Sequence, residues 1–160
     1  MKIQSEFVVT KWEEVNVSGY FPDSPMTRAS VEYTSSGSIQ GVFHVEYIIH
    51  TTGSNLAANQ VSTYVGYLEF TGRIGDKTGM FVLMDIGEYA NGMPSGSLAI
   101  KPASGTGDFT GIQGTGKYYV LDSTMIMELD YSVEDDVENE DTQAEDSNDT
   151  SSEEWTDELP

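Results

Sequence analysis

Cysteine is absent from this 160-residue chain. That excludes disulfides, thiolate nucleophiles and every Cys-based zinc site, and it fits a reducing, cytoplasmic setting. Basic residues are scarce: 7 Lys and Arg stand against 27 Asp and Glu, for a formal net charge of −20. Nucleic acid is therefore not an expected partner, because binding phosphate requires a cationic surface. The opening "MKIQSEFVVTKWEE" has no apolar h-region of a signal peptide, and no run of about 18 apolar residues exists to span a membrane. Helical stripes are missing as well, so the usual helix N-termini for anion binding are not expected.

The charge is unevenly placed. Residues 132–160 hold 13 acids and no Lys or Arg, whereas residues 1–131 hold 14 acids against 7 bases. "SVEDDVENEDTQAEDSNDTSSEEWTDELP" has too few apolar residues to offset its chain entropy. The division expected is a folded domain over 1–132 and a disordered acidic tail over 133–160. The tail reads first as a solvating, self-repelling segment. A second reading makes it a docking motif, with Trp155 and Leu159 as anchors for a basic protein partner.

From residue 6 to 131 the apolar period is two. "ASVEYTSS" alternates Ala29, Val31 and Tyr33 against Ser30, Glu32 and Thr34. "IQGVFHVEYIIHT" sets Phe43, Val45, Tyr47 and Ile49 on one face. "STYVGYLEFTG", "GMFVLMDIGEY", "SLAIK", "GDFTGI", "GKYYVLD" and "TMIMELDYS" continue the series, with turn signals at "SSGS", "RIGDKTG" and Asn91-Gly92. Eight or nine strands with short connections predict an all-β sandwich or closed barrel.

One stretch invites another reading. "PASGTGDFTGIQGTGKYYV", starting at Pro102, holds five glycines, and Gly111 to Lys117 reads G-x-x-x-x-G-K. A phosphate loop needs a helix after it and Ser or Thr after the Lys. Here Tyr118 follows Lys117 and "YYVLD" reads as strand. Glycines of this kind mark bulges, corners and close backbone approach in a curved sheet.

"SGTGDFTGIQGTG" (Ser104–Gly116) resembles the S-G-T-G-x-[LF]-x-G-[LI]-x-G-x-G signature of a bacterial domain-of-unknown-function family. That family is assigned to the allene oxide cyclase-like barrel superfamily. "FVVTKW", "GSIQGVFHVEY" (Gly37–Tyr47), "YVGYLEFTGRIGDKTGMFVL" (Tyr64–Leu83) and "MELDYS" (Met127–Ser132) are similar to family segments in the same order. The resemblance covers about residues 6–132. It implies an eight-stranded, mostly antiparallel β-barrel, and a homo-oligomer, since relatives assemble. It carries over no catalytic residues. Asp85 stands where the family commonly has His, and Phe43 where a small hydroxyl residue is usual.

His44 and His50 would lie about 20 Å apart along one strand at about 3.3 Å per residue, too far to share a metal. No metal and no cofactor are expected. Glu46, Glu69 and Asp85 each sit mid-strand among apolar residues on three consecutive strands. Facing a lumen, they would have raised pKa values and, with His44 beside them, could serve as general acid or base. Facing out, they would be ordinary solvated acids, and a slip of one residue decides between the two. Tyr47, Tyr64, Tyr67, Met84 and Tyr118 are the residues expected to line a ligand pocket; the alternative is a lumen filled by side chains. Three functions follow: a barrel that binds a small apolar molecule, an isomerase or cyclase using lumen carboxylates, and a structural or interaction protein acting through its tail.

Overall fold

A computed structural model describes residues 1–17, 25–52 and 60–134. They form nine strands: β1 (Lys2–Asn16), β2 (Met26–Gly37), β3 (Ile39–Thr52), β4 (Val61–Ile74), β5 (Lys77–Ala90), β6 (Met93–Ile100), β7 (Thr106–Gly107), β8 (Ile112–Leu121) and β9 (Thr124–Val133). The alternation of the sequence becomes alternation of burial. Phe43, Val45, Tyr47 and Ile49 point in from β3, while His44, Glu46 and Ile48 point out. All neighbours are antiparallel, and β4 pairs with β5 while β1 pairs with β9, so eight strands close into a barrel. Closure leaves no exposed sheet edge among the eight.

Turn chemistry sets the register. Asn91 and Gly92 between β5 and β6, and Asp122 and Ser123 between β8 and β9, all have positive φ. Two such residues in a row make the hairpin turn whose twist suits antiparallel strands. The barrel is the expected fold, but one strand expected from sequence is not there. "GDFTGI" is mostly turn: β7 pairs only two residues with β5, and the chain then folds inward. Phe109 on that turn is fully buried, with ring centroids 5.1 Å from Phe81 and 6.2 Å from Phe70. Phe43 packs against Phe70 as a tilted pair, with ring centroids 4.8 Å apart. These rings plug one end of the barrel.

The glycines sit where backbones crowd beneath the plug. Gly41, Gly72, Gly79 and Gly107 lie opposite one another across β3, β4, β5 and β7. A Cβ on Gly41 would come within 2.8 Å of the Gly72 Cα and 2.9 Å of the Phe70 ring. Only glycine permits that approach. Gly111 to Lys117 enters β8 rather than a helix, so the phosphate-loop pattern has no helix terminus behind it.

Candidate functional site

The opposite end of the barrel is not filled. A cavity of about 430 Å³ opens among all eight barrel strands, β1 to β6, β8 and β9, a size that suits a small organic ligand. Trp12, Tyr89 and Pro94 stand at its rim, and Phe7, Ile49, Leu68, Met125 and Met127 form apolar wall. Asp85 lies at its floor with none of its side chain exposed to solvent.

Four tyrosines surround that carboxylate. Tyr47 donates to Oδ2 at 2.8 Å and Tyr118 donates to Oδ1 at 2.9 Å. The Tyr64 hydroxyl is 2.7 Å from that of Tyr118, and the Tyr33 hydroxyl is 3.4 Å from that of Tyr47. Three of the four rings, those of Tyr47, Tyr64 and Tyr118, have a place left for them by a glycine. Tyr118 lies across the facing pair Gly87 and Gly96, where a Cβ on Gly96 would stand 2.6 Å from its Cζ. Tyr47 lies across Gly66, the residue opposite Asp85 on β4. Phe7 meets Tyr33 and Tyr118 edge-on. The rings are therefore fixed by packing, and their hydroxyls converge on one point.

Burial pushes the Asp85 carboxyl up to about 6, although the bonds from Tyr47 and Tyr118 favour the anion and oppose that rise. Burial also raises Tyr33 to about 12. Tyr47, Tyr64 and Tyr118 are raised above the ordinary phenol range, again chiefly by burial, with the nearby Asp85 charge adding to it. Near neutral pH the cluster is one carboxylate and four neutral phenols. Among the described residues lining the cavity there is no Lys, Arg or His, and Glu14 at the rim is the second acid.

The sequence-predicted residues separate into two groups. Asp85, Tyr47, Tyr64 and Tyr118 line the cavity. Glu46, Glu69 and His44 do not join them, because each has the outward parity of its strand. They border a shallow groove on the barrel's outer face. There Glu46 accepts a bond from Ser30 at 2.6 Å, and His44 lies 3.6 Å from Glu32. The expected convergence of three acids in the lumen is thus reduced to one. Tyr67 and Met84 are also outside, at 52% and 40% exposed, with Lys101 over the Tyr67 ring. Tyr67, Met84, Ile48, Val65 and Ile86 make the outer face of β3 to β5 apolar, so aromatic or methionine character alone did not identify the lining.

Among the lining residues that were not sequence candidates are Tyr33, Trp12, Glu14 and Tyr89, and the plug residue Phe109 at the other end was not anticipated either. Tyr33 shares the parity of Ala29 and Val31, which marked it as inward but not as part of a polar cluster. No group of three or more His, Cys, Asp or Glu among the described residues could hold a metal ion. No helix among them is long and apolar enough to cross a membrane. The acidic tail, with Trp155 and Leu159, lies outside the described residues.

No curated protein matches the chain. Among solved structures it is similar to a protein of unknown function from Shewanella oneidensis MR-1, of the DUF3224 family. That likeness has a TM-score of 0.68 at 20% identity, covering 84% of this chain and 98% of the other, and it concerns the fold. The model of the family described as "Protein of unknown function (DUF3224)" matches residues 3–131, and the chain belongs to that family.

Proposed function

We propose that the barrel binds one small, largely apolar molecule in its open end. The observation that carries this is the cavity itself: about 430 Å³, walled by apolar side chains, with a single convergent polar cluster at its floor. A lumen built only for stability would be filled, as the plugged end is with Phe43, Phe70, Phe81 and Phe109. The glycine motif and the eight-stranded closure also support grouping this barrel with the allene oxide cyclase-like superfamily. Fold likeness does not carry an activity.

The test is native mass spectrometry on protein purified from its own source, with gentle and then denaturing ionisation. A small molecule retained at one per barrel supports the reading. A bare mass that stays bare across a panel of lipid-like and polycyclic compounds overturns it.

Isomerisation or cyclisation in the same cavity is a second reading, favoured by Asp85 alone. A buried carboxyl that titrates near 6 can take and return a proton near neutral pH. Under this reading Asp85→Asn keeps binding and loses conversion of the bound molecule, followed by NMR as a change of isomer. Conversion that survives the substitution would remove it.

A further inference from the structure

The lumen cluster is more selective than an apolar pocket with a polar patch, and the reasoning rests on the binding reading above. The protons can be counted. Tyr47 and Tyr118 spend theirs on the two oxygens of Asp85. Tyr64, 2.7 Å from Tyr118, then spends its own on the Tyr118 oxygen, which has no other proton to give. Its other neighbour, the Glu88 carbonyl at 3.5 Å, can only accept as well. Tyr33 stands in the same relation to Tyr47, more loosely, at 3.4 Å. With Asp85 ionised, the tyrosine donors point inward at the carboxylate and the floor of the cavity presents oxygen lone pairs; the hydroxyls of Thr51 and Ser62, 2.8 Å apart higher on the wall, keep one proton between them to give. The described lining residues add a second acid, Glu14, and no cation. The faces of Tyr33, Tyr47, Tyr64 and Trp12 are electron-rich surfaces that attract positive charge.

A carboxylate buried without a cation is destabilising at neutral pH. The bonds from Tyr47 and Tyr118 offset part of that cost, but no cation among the described lining residues pairs with it. The missing partner is a positive charge, and the cavity is the open approach to it.

We propose that the lumen takes its ligand amine end first: an apolar molecule ending in a protonated amine, received by the Tyr33 and Tyr64 hydroxyl oxygens with the Asp85 charge behind them. A carboxylate-ended molecule of the same size meets lone pairs and like charge, and is rejected.

The groups that face Asp85 come from every packed element. Tyr33 (β2), Tyr47 (β3), Tyr64 (β4) and Tyr118 (β8) are its polar neighbours, Glu14 (β1) stands at the rim, and β6 and β9 offer apolar Leu98 and Met127. All four tyrosines have pKa values raised above the ordinary phenol range. Between pH 5 and pH 8, Asp85 is therefore the floor group that changes charge. When it is protonated the carboxyl donates, a tyrosine proton is freed, and the attraction for a cation is gone.

The experiment is calorimetric titration of the full chain with n-octylamine, n-octanol and n-octanoate at pH 8 and pH 5. At pH 8 the amine is expected to bind at least tenfold more tightly than the alcohol, with the carboxylate weakest. At pH 5 only about a tenth of Asp85 stays ionised, so the amine is expected to lose about tenfold while octanol changes little. Asp85→Asn should abolish both the preference and its pH dependence. Tyr64→Phe, which leaves the carboxylate in place, should weaken the amine while keeping the pH dependence. Octanoate binding as tightly as octylamine at pH 8, or an amine affinity indifferent to pH in the wild-type chain, overturns the inference and leaves the pocket standing. Failure of all three probes to bind overturns the pocket reading with it.

Discussion

Asp85→Asn keeps the shape of the side chain and removes its charge, so it isolates what that charge does to stability. The folded chain holds the Asp85 proton up to about 6, against an ordinary value of 3.8. The native state then binds more protons than the unfolded state between those two values. By linkage, stability falls as pH rises through that window and is level above it. The gap between those two values corresponds to about 3 kcal/mol of destabilisation at pH 8. At pH 5 the same relation gives about half of that. The substitution also alters the bonds from Tyr47 and Tyr118; relative to protonated Asp85 that change is a constant, and the pH-dependent part of those bonds is already contained in the raised pKa. The informative quantity is the difference between variant and wild type at pH 8 minus the same difference at pH 5. It should favour the variant by roughly 1–2 kcal/mol. Urea denaturation of both proteins at both pH values measures it. Comparing variant with wild type cancels the titration of the other acids. A difference of zero, or one that favours wild type at the higher pH, would refute the assignment of Asp85 as a buried, uncompensated carboxylate.

Other consequences can be checked in the same way. Tyr118→Phe takes away a donor to the Asp85 anion and the acceptor of Tyr64; at pH 8 it is expected to cost about 1.5–3 kcal/mol, with a smaller loss at pH 5. Gly96→Ala puts a methyl into the Tyr118 ring, which must leave Asp85. The expected loss is about 1–3 kcal/mol in urea denaturation, with near-ultraviolet circular dichroism reporting the moved tyrosine. Phe109→Ala empties the plug between Phe70 and Phe81 and is expected to cost about 3–5 kcal/mol. An equal loss from Phe109→Leu would argue against ring packing as the cause.

The barrel was legible because its strands alternate so regularly. On β3 the inward row of Phe43, Val45, Tyr47 and Ile49 faces an outward row containing His44 and Glu46, and the sequence alone orders them. The site was harder, for a physical reason located on β5. There both parities are apolar: Phe81 and Leu83 point in, while Met84 and Ile86 point out. Asp85 shares the inward parity of Leu83, yet an acid in such a run looks like an outward residue. Glu46 and Glu69 look the same in sequence and are outward. The signal that could have separated them is glycine. Gly66, Gly87 and Gly96 are mid-strand positions without side chains, and each is covered by a lumen tyrosine. A strand glycine opposite an acid leaves room for a ring to reach that acid. Phe109 was missed because "GDFTGI" alternates as a strand does, and its inward fold depends on the buried space between Phe70 and Phe81.

The claim on which the rest depends is that the open end of the barrel is a binding site. Its most direct test is a fluorescence titration with N-phenyl-1-naphthylamine, a neutral apolar probe that brightens when it leaves water. The wild-type chain is compared with Ser62→Trp, which places an indole at the half-buried rim position beside Tyr89. The expected result is saturable enhancement at one probe per chain for wild type, reduced at least tenfold in affinity by the substitution. No enhancement, or an enhancement that Ser62→Trp leaves unchanged, would contradict it.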